Sequence, residues 1–145
     1  MIESQWNKEI ALECFRCLRD FDLDRMLMYL HSGVELGIPG KRFGGTYSGA
    51  TEVREFFVRF FEEFGKVRGS GVTSRTDVIL AEGHAVFAST VQEGTLRNGK
   101  RLNTRMSWLF KFDGRKIQSM DLSYDTEKFE ELMSGGAAQG GEAAA

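Results

Sequence analysis

The sequence predicts one α+β domain in which helices cover one face of a curved antiparallel sheet and enclose an apolar pocket. Residues 48–64 have the apolar spacing of an amphipathic helix, and the pattern changes to period two from there to residue 125. A length of 145 residues with 41% hydrophobic content suffices for one core. We therefore expect a domain over residues 1–133 and a disordered Gly/Ala-rich tail over residues 134–145.

Charge and hydropathy exclude several partners. The formal net charge is −2 with basic and acidic residues interleaved, so no face is prepared to neutralise a run of phosphates, and nucleic acid is not expected. No stretch approaches the roughly 20 apolar residues of a membrane span. The start, MIESQWNKEI, carries charges where a signal peptide would be apolar. We expect a cytoplasmic protein without membrane contact, cofactor or metal.

The first half of the chain is predicted to be mainly helical. A first helix covers about residues 4–20, and its apolar stripe is Trp6, Ile10, Cys14, Leu18 and Phe21. Asp22 caps a second helix, a short strand covers Val34 to Ile38, and Pro39-Gly40 ends that strand. The clearest helix runs from Ser48 to Phe64, with Val53, Phe56, Phe57, Phe60, Phe61 and Phe64 on its apolar face.

The second half is predicted to be an antiparallel meander followed by a helix from about Thr126 to Met133. The four strands are Val72 to Leu80, His84 to Leu96, Arg101 to Phe112 and Arg115 to Tyr124. Asn98-Gly99 and Asp113-Gly114 are dipeptides that two-residue hairpin turns prefer, because both central residues need positive φ.

Alternation along these strands predicts which side chains face the helices. The inward sets are Thr104, Met106, Trp108 and Phe110 on one strand and Met120, Leu122 and Tyr124 on the next. Val86, Thr90 and Leu109 are assigned to the outer face, where they mix with polar residues.

Three motifs suggest chemistry but do not fit it. Cys14 and Cys17 have redox spacing, yet they lie inside an amphipathic segment with no strand before it, so buried structural thiols are the better interpretation. The acidic run beginning at Asp20 has Arg25 and His31 where a calcium loop needs Gly and Glu. The segment GKRFGG lacks the Lys-Ser or Lys-Thr of a phosphate loop and is predicted to be a surface loop.

Several segments together resemble a known superfamily: YSGATEVREFF, RNGKRLNTRMSWLFKFDGRKI and SMDLSYDTEKFEELM. Over about Gln5 to Met133 the chain resembles the nuclear-transport-factor-2-like proteins, within them the ketosteroid isomerases, SnoaL-like polyketide cyclases and limonene epoxide hydrolases. The resemblance implies a cone-shaped α+β barrel with a hydrophobic cavity, often dimeric through its sheet.

The catalytic groups of those relatives do not carry over to this chain. The isomerase base would fall near Leu36 to Ile38, its tyrosine near Cys14 or Phe15, and its aspartic acid at Trp108. The last-strand carboxylate of the cyclases and hydrolases would fall at Leu122, and the hydrolase arginine and aspartate at Ser89 and Val91 or at Thr90 and Gln92. We therefore expect neither steroid isomerase nor limonene epoxide hydrolase activity.

Two function classes remain open: a metal-free acid–base enzyme acting on an apolar molecule, and a non-catalytic binder or accessory subunit. Glu93 is the candidate acid or base if it faces the pocket, and a solvated hairpin residue otherwise. Tyr124 is the second catalytic candidate, and it and Trp108 either contact a ligand or pack in the core. The candidate ligand-binding residues are Trp108, Met106, Met120, Leu122, Tyr124, Phe56, Phe60 and Tyr47. The expected partners are a small apolar molecule and a second copy of the chain.

Overall fold

A computed structural model describes residues 2–64 and 72–133. The elements in chain order are α1 (Ile2–Arg19), α2 (Leu23–Leu27), β1 (Leu30–Ile38), β2 (Gly45–Ser48), α3 (Gly49–Phe64), β3 (Val72–Glu82), β4 (Ala85–Thr95), β5 (Arg101–Asp113), β6 (Lys116–Ser123) and α4 (126–133). The predicted helices and strands are all present, and β2 is an addition in a region predicted to be a loop. The predicted disordered tail, residues 134–145, lies outside the described residues.

The six strands form one mixed sheet in the order β2-β1-β6-β5-β4-β3. β1 pairs with β6 in parallel, and every other neighbouring pair is antiparallel. The helices cover one face, so the predicted α+β class is confirmed. The sheet is open, with β2 and β3 at its edges, and it does not close into the barrel that the resemblance implied.

The core lies between the helices and the inner face of the sheet. Phe56, Phe60, Met106 and Trp108 are all buried, as the sequence predicted. The remaining predicted residues of the α3 stripe, Val53, Phe57 and Phe61, are buried too, while the Phe64 side chain lies outside the described ones. Burying this apolar face is what fixes α3 against the sheet, since propensity alone stabilises a helix of this length only marginally.

The predicted stripe of α1 is wrong by about a third of a turn at its start. Trp6 is 43% exposed and stacks under the Arg115 guanidinium, 3.5 Å from ring centroid to Cζ. The buried residues are Asn7, Ala11, Cys14, Cys17 and Leu18. The predicted residues are mostly four apart in the sequence. Because an α-helix has about 3.6 residues per turn, each such step rotates the predicted stripe around the helix by roughly 40°. Asn7 then fixes α1 to the β3–β4 turn, donating from Nδ2 to the Gly83 carbonyl oxygen at 3.2 Å.

One predicted hairpin turn is displaced by a residue, and the other is one residue longer than predicted. The β5–β6 loop is Gly114-Arg115, because Asp113 pairs with Lys116, and Gly114 has φ 67°. At the β4–β5 connection Leu96 donates its N–H to the Lys100 carbonyl at 2.8 Å, which leaves a three-residue loop with Gly99 at φ 90°. Within the described residues, Phe21 alone among the non-glycines has positive φ, so the turns need one such residue each and not two.

The assignment of Val86 and Thr90 to the outer face is wrong. Both are buried on the inner face, where Val86 lies in register with Phe110 and Thr90 with Met106. Leu109 is half-buried on the outer face, in register with Phe87. The sequence left the phase of β4 undecided because its two faces both contain small and polar residues.

Candidate functional site

A cavity of about 290 Å³ lies between α1, α3 and the inner face of β3 to β5. Its apolar wall consists of Leu12, Phe15, Leu18, Phe57, Phe60, Phe61, Val72, Met106 and Trp108. The polar part consists of Ser74, Thr76 and Gln92 on β3 and β4, with Arg16 and Arg19 at the end of α1. Arg75 borders the cavity at the edge of the sheet, but its guanidinium lies on the outer face beside Asp77. The cavity therefore has an aromatic interior, one polar strip and a cationic border.

Trp108 is held in one orientation by its neighbours. The Phe15 ring meets it edge-on at 5.1 Å between centroids, and Phe110 stacks on it at 6.0 Å. Its indole Nε1 donates to Thr90 Oγ1 at 2.9 Å. Because the one polar atom of the indole already has a partner, Trp108 offers a ligand its ring and not a hydrogen bond.

A chain of polar groups continues from Thr90 along the strand edge. Gln92 is 5% exposed, and its Nε2 lies 2.7 Å from Thr90 Oγ1 and 3.1 Å from Ser74 Oγ. Its Oε1 is enclosed without a hydrogen-bond partner among the described residues. Sequence reasoning missed Thr90 and Gln92 as part of the site. Both could have been found by extending the inward and outward alternation of β5 through the hairpin to β4. Gln92 lies in register with Thr104, which was predicted to face inward.

The predicted ligand-binding residues separate into two groups. Met106, Trp108 and Phe60 line the cavity. Phe56, Met120 and Leu122 are buried in the core away from it.

Tyr47 and Tyr124 lie beyond these, at the β1–β2 end of the inner face. The Tyr47 hydroxyl donates to the Phe43 carbonyl and accepts from Arg59 Nη2 at 3.1 Å. The Tyr124 hydroxyl donates to the Pro39 carbonyl at 3.4 Å, and its ring packs edge-on against Phe129 at 5.3 Å. Neither tyrosine lines the cavity beside Trp108.

The two catalytic candidates are placed unfavourably for acid–base chemistry in this cavity. Glu93 is exposed and points to the outer face, one residue out of phase with Gln92. Burial, followed by the charges of Glu130 and Tyr47, raises the pKa of Tyr124 to about 12. The phenol thus stays protonated at neutral pH, so it cannot act as a base, and it lies at the other end of the inner face.

The ionisable groups among the described residues that line the cavity are all arginines. A guanidinium stays protonated at any physiological pH, so it can attract an anion but cannot take up or release a proton. The nearby thiols are also unreactive. Both cysteines are free and buried, and burial raises the pKa of Cys14 and that of Cys17.

No group of three or more His, Cys, Asp or Glu side chains in residues 2–64 and 72–133 is placed to hold a metal ion. Within the same ranges no helix combines the length and apolar character that crossing a bilayer requires.

Solved structures with the same fold are numerous. Bal32a from a soil-derived mobile gene cassette superposes with a TM-score of 0.81 at 18% identity, covering 90% of this chain and 98% of that one. TerC, co-crystallized with polyporic acid, gives 0.78 at 23% identity over 88% and 98%. A putative SnoaL-like polyketide cyclase from Jannaschia sp. CCS1 gives 0.78 at 15% identity over 90% and 93%. No curated protein sequence matches the chain.

The mixed sheet, its helical cover and the enclosed cavity thus define an α+β protein of the nuclear-transport-factor-2-like fold. Within that class the SnoaL-like domain family matches residues 11–120, which is most of the chain. The protein belongs to the SnoaL-like family, as the resemblance in its sequence implied.

Proposed function

We propose that this protein is a small-molecule binder that holds an apolar ligand in the cavity beside Trp108. The observation that carries the proposal is the composition of the wall, in which aromatic and aliphatic side chains predominate and no described lining residue can exchange a proton. A volume of about 290 Å³ is at the small end of ligand pockets, so we expect a compact ligand.

The relatives support small-molecule binding in this fold. TerC was crystallized with polyporic acid, and the Jannaschia protein is described as a putative polyketide cyclase. A cyclase-type enzyme is the second candidate, favoured by that relative alone. It would need an acid or base at the ligand, and Glu93, the carboxylate predicted for that task, points to the opposite face.

Tryptophan fluorescence tests the proposal directly, because the two tryptophans lie in different surroundings. Trp108 lines the cavity, whereas Trp6 is exposed at the start of α1. We expect some members of a panel of steroids, terpenoids and aromatic polyketides to give a saturable change in emission in the wild type.

The matched variants are Trp108→Phe and Trp6→Phe. The ligand response should disappear in Trp108→Phe and persist in Trp6→Phe. If no compound changes the emission of the wild type, or if the response follows Trp6, the proposal is wrong. Turnover of a bound compound by the wild type would favour the cyclase-type enzyme instead.

We also propose that two copies of the chain pair through the outer face of the sheet. Leu80, Phe87 and Leu109 lie in one cross-strand row there, and Leu80 and Phe87 are 63% and 40% exposed. Asp121 continues that row on β6, and Lys111 lies two residues from Leu109 on the same face, so a twofold arrangement can bring opposite charges together around an apolar centre.

A further inference from the structure

The side-chain amide of Gln92 belongs to the polar part of the cavity wall, and the protein satisfies only half of it. Gln92 lies on β4, lines the cavity and is 5% exposed. Its Nε2 donates to Thr90 Oγ1 at 2.7 Å and to Ser74 Oγ at 3.1 Å, which uses both amide hydrogens. Its Oε1 has no hydrogen-bond partner among the described residues. The donor half of the amide thus has a structural role, and the acceptor half has none.

The unpaired oxygen lies in the wall of a cavity and not in a packed core. A buried acceptor without a partner costs free energy, because it gives up its hydrogen bonds to water and receives none in return. Asn7 Oδ1 is also without a partner among the described residues, but Asn7 does not line the cavity. Only at Gln92 can a molecule in the cavity supply the missing donor.

The Gln92 oxygen can reach a ligand without any movement of the strand. The last torsion of a glutamine side chain has a broad energy minimum, so a small rotation of the amide can turn Oε1 towards the cavity. Ser74 Oγ, 3.1 Å from Nε2, lies beside the same amide. One ligand hydroxyl can therefore donate to Oε1 and accept from the Ser74 hydroxyl, since a hydroxyl is both a donor and an acceptor.

From this arrangement we propose that the ligand is a compact phenol, an aromatic ring that carries a hydroxyl group. Its ring would lie against Phe15 and Trp108, and its hydroxyl would donate to Gln92 Oε1. Gln92 then selects a hydroxylated ligand over a hydrocarbon of the same shape. The inference rests on the proposed function, because it assigns a chemical class to the ligand of the same cavity.

Calorimetric titration of 4-ethylphenol and 4-ethyltoluene tests the inference. The two compounds have nearly the same shape, and one carries a hydroxyl where the other carries a methyl group. Removing the hydroxyl from water costs free energy, so each compound is compared between protein variants, in which its hydration cancels. Gln92→Met should weaken the binding of 4-ethylphenol about 10-fold, because the hydroxyl is then buried without its acceptor. The same variant should bind 4-ethyltoluene at least as tightly as the wild type, which also shows that its cavity is intact.

Two further variants make the comparison specific. Ser74→Ala removes the second polar contact and should weaken the binding of 4-ethylphenol several-fold, while the hydrogen bond from Trp108 to Thr90 stays in place. The matched control is Gln118→Met, the same substitution at an exposed position of β6 outside the cavity. The control should leave both affinities unchanged.

If Gln92→Met weakens the binding of both compounds by the same factor, or of neither, the inference is overturned and the ligand-binding cavity remains. If neither compound binds the wild type, the inference is wrong as well, and the fluorescence panel alone then decides whether the cavity takes any ligand.

Discussion

The two ends of the inner face are built from similar aromatic residues but differ in how completely they are filled. At the β1–β2 end, Phe56 stacks on Phe60 and contacts Phe43, Tyr47 and Phe57, with ring centroids within 5.9 Å. At the other end a cavity of about 290 Å³ remains beside Trp108. Aromatic content alone therefore does not distinguish a core from a binding site. What differs is the polar strip of β3 and β4, because packing its polar side chains against an apolar core costs free energy unless they are hydrogen-bonded.

The largest effect expected from this comparison is on stability at the filled end. Phe56→Ala should lower the free energy of unfolding by about 3–5 kcal/mol, because the neighbouring rings cannot collapse into the space left behind. Phe60→Ala should fall at the lower end of that range, since Phe60 already borders a cavity. Urea denaturation measures both. A larger loss for Phe60→Ala would mean that the cavity is closed in solution.

A second prediction contrasts the inner face with the outer face. Phe87→Lys should dissociate the proposed dimer, because it puts a charge at the centre of the apolar row. The fold should be retained, since Phe87 is 40% exposed in one chain. Sedimentation at tens of micromolar gives the oligomeric state. A monomeric wild type would contradict the proposed pairing, and Glu93→Lys, on the same strand and face, serves as the control for added charge.

Removing a polar group should have only a small effect on stability at the cavity end. Gln92→Met should change the free energy of unfolding by at most about 1 kcal/mol, because the removal of a buried acceptor without a partner offsets the loss of the hydrogen bonds from Gln92 Nε2 to Thr90 and Ser74. Thr90 would still accept from Trp108. Thermal unfolding tests this, and a strongly destabilised Gln92→Met would mean that the Gln92 oxygen has a partner in solution.

The smallest effect is expected at Tyr124. Tyr124→Phe should cost less than about 1 kcal/mol at neutral pH, since the hydrogen bond to Pro39 is long at 3.4 Å. The pKa of Tyr124 is raised from 10.0 to about 12 in the folded protein. Its stabilising contribution is therefore fully present below pH 10 and is lost as the pH rises towards 12.

Alkaline denaturation compares the wild type with that variant. The wild type should lose stability more steeply than Tyr124→Phe over this pH range, because the unfolded chain releases the phenolic proton first. Parallel curves for the two proteins would contradict the burial of the phenol.

Periodicity in the sequence determined the helices, the meander and the identity of most inward-facing residues. The α3 stripe and the alternation of Met106 and Trp108 could be predicted directly, because the period of a helix or strand fixes which residues share a face, and the apolar face is the one that is buried. The errors fall where the pattern is weak. In β4 small and polar residues occupy both faces, so the phase was ambiguous, and Thr90 and Gln92 were missed.

The tertiary structure alone decided which apolar residues leave a space and which fill it. Trp108 and Leu122 are in register on adjacent strands, yet only Trp108 lines the cavity. The sequence could not separate them, because a cavity depends on how far a helix stands from the sheet and not on the polarity of one strand. The same holds for Phe15 and Gln92, which are far apart in the chain and share one cavity only after α1 packs against β3 and β4.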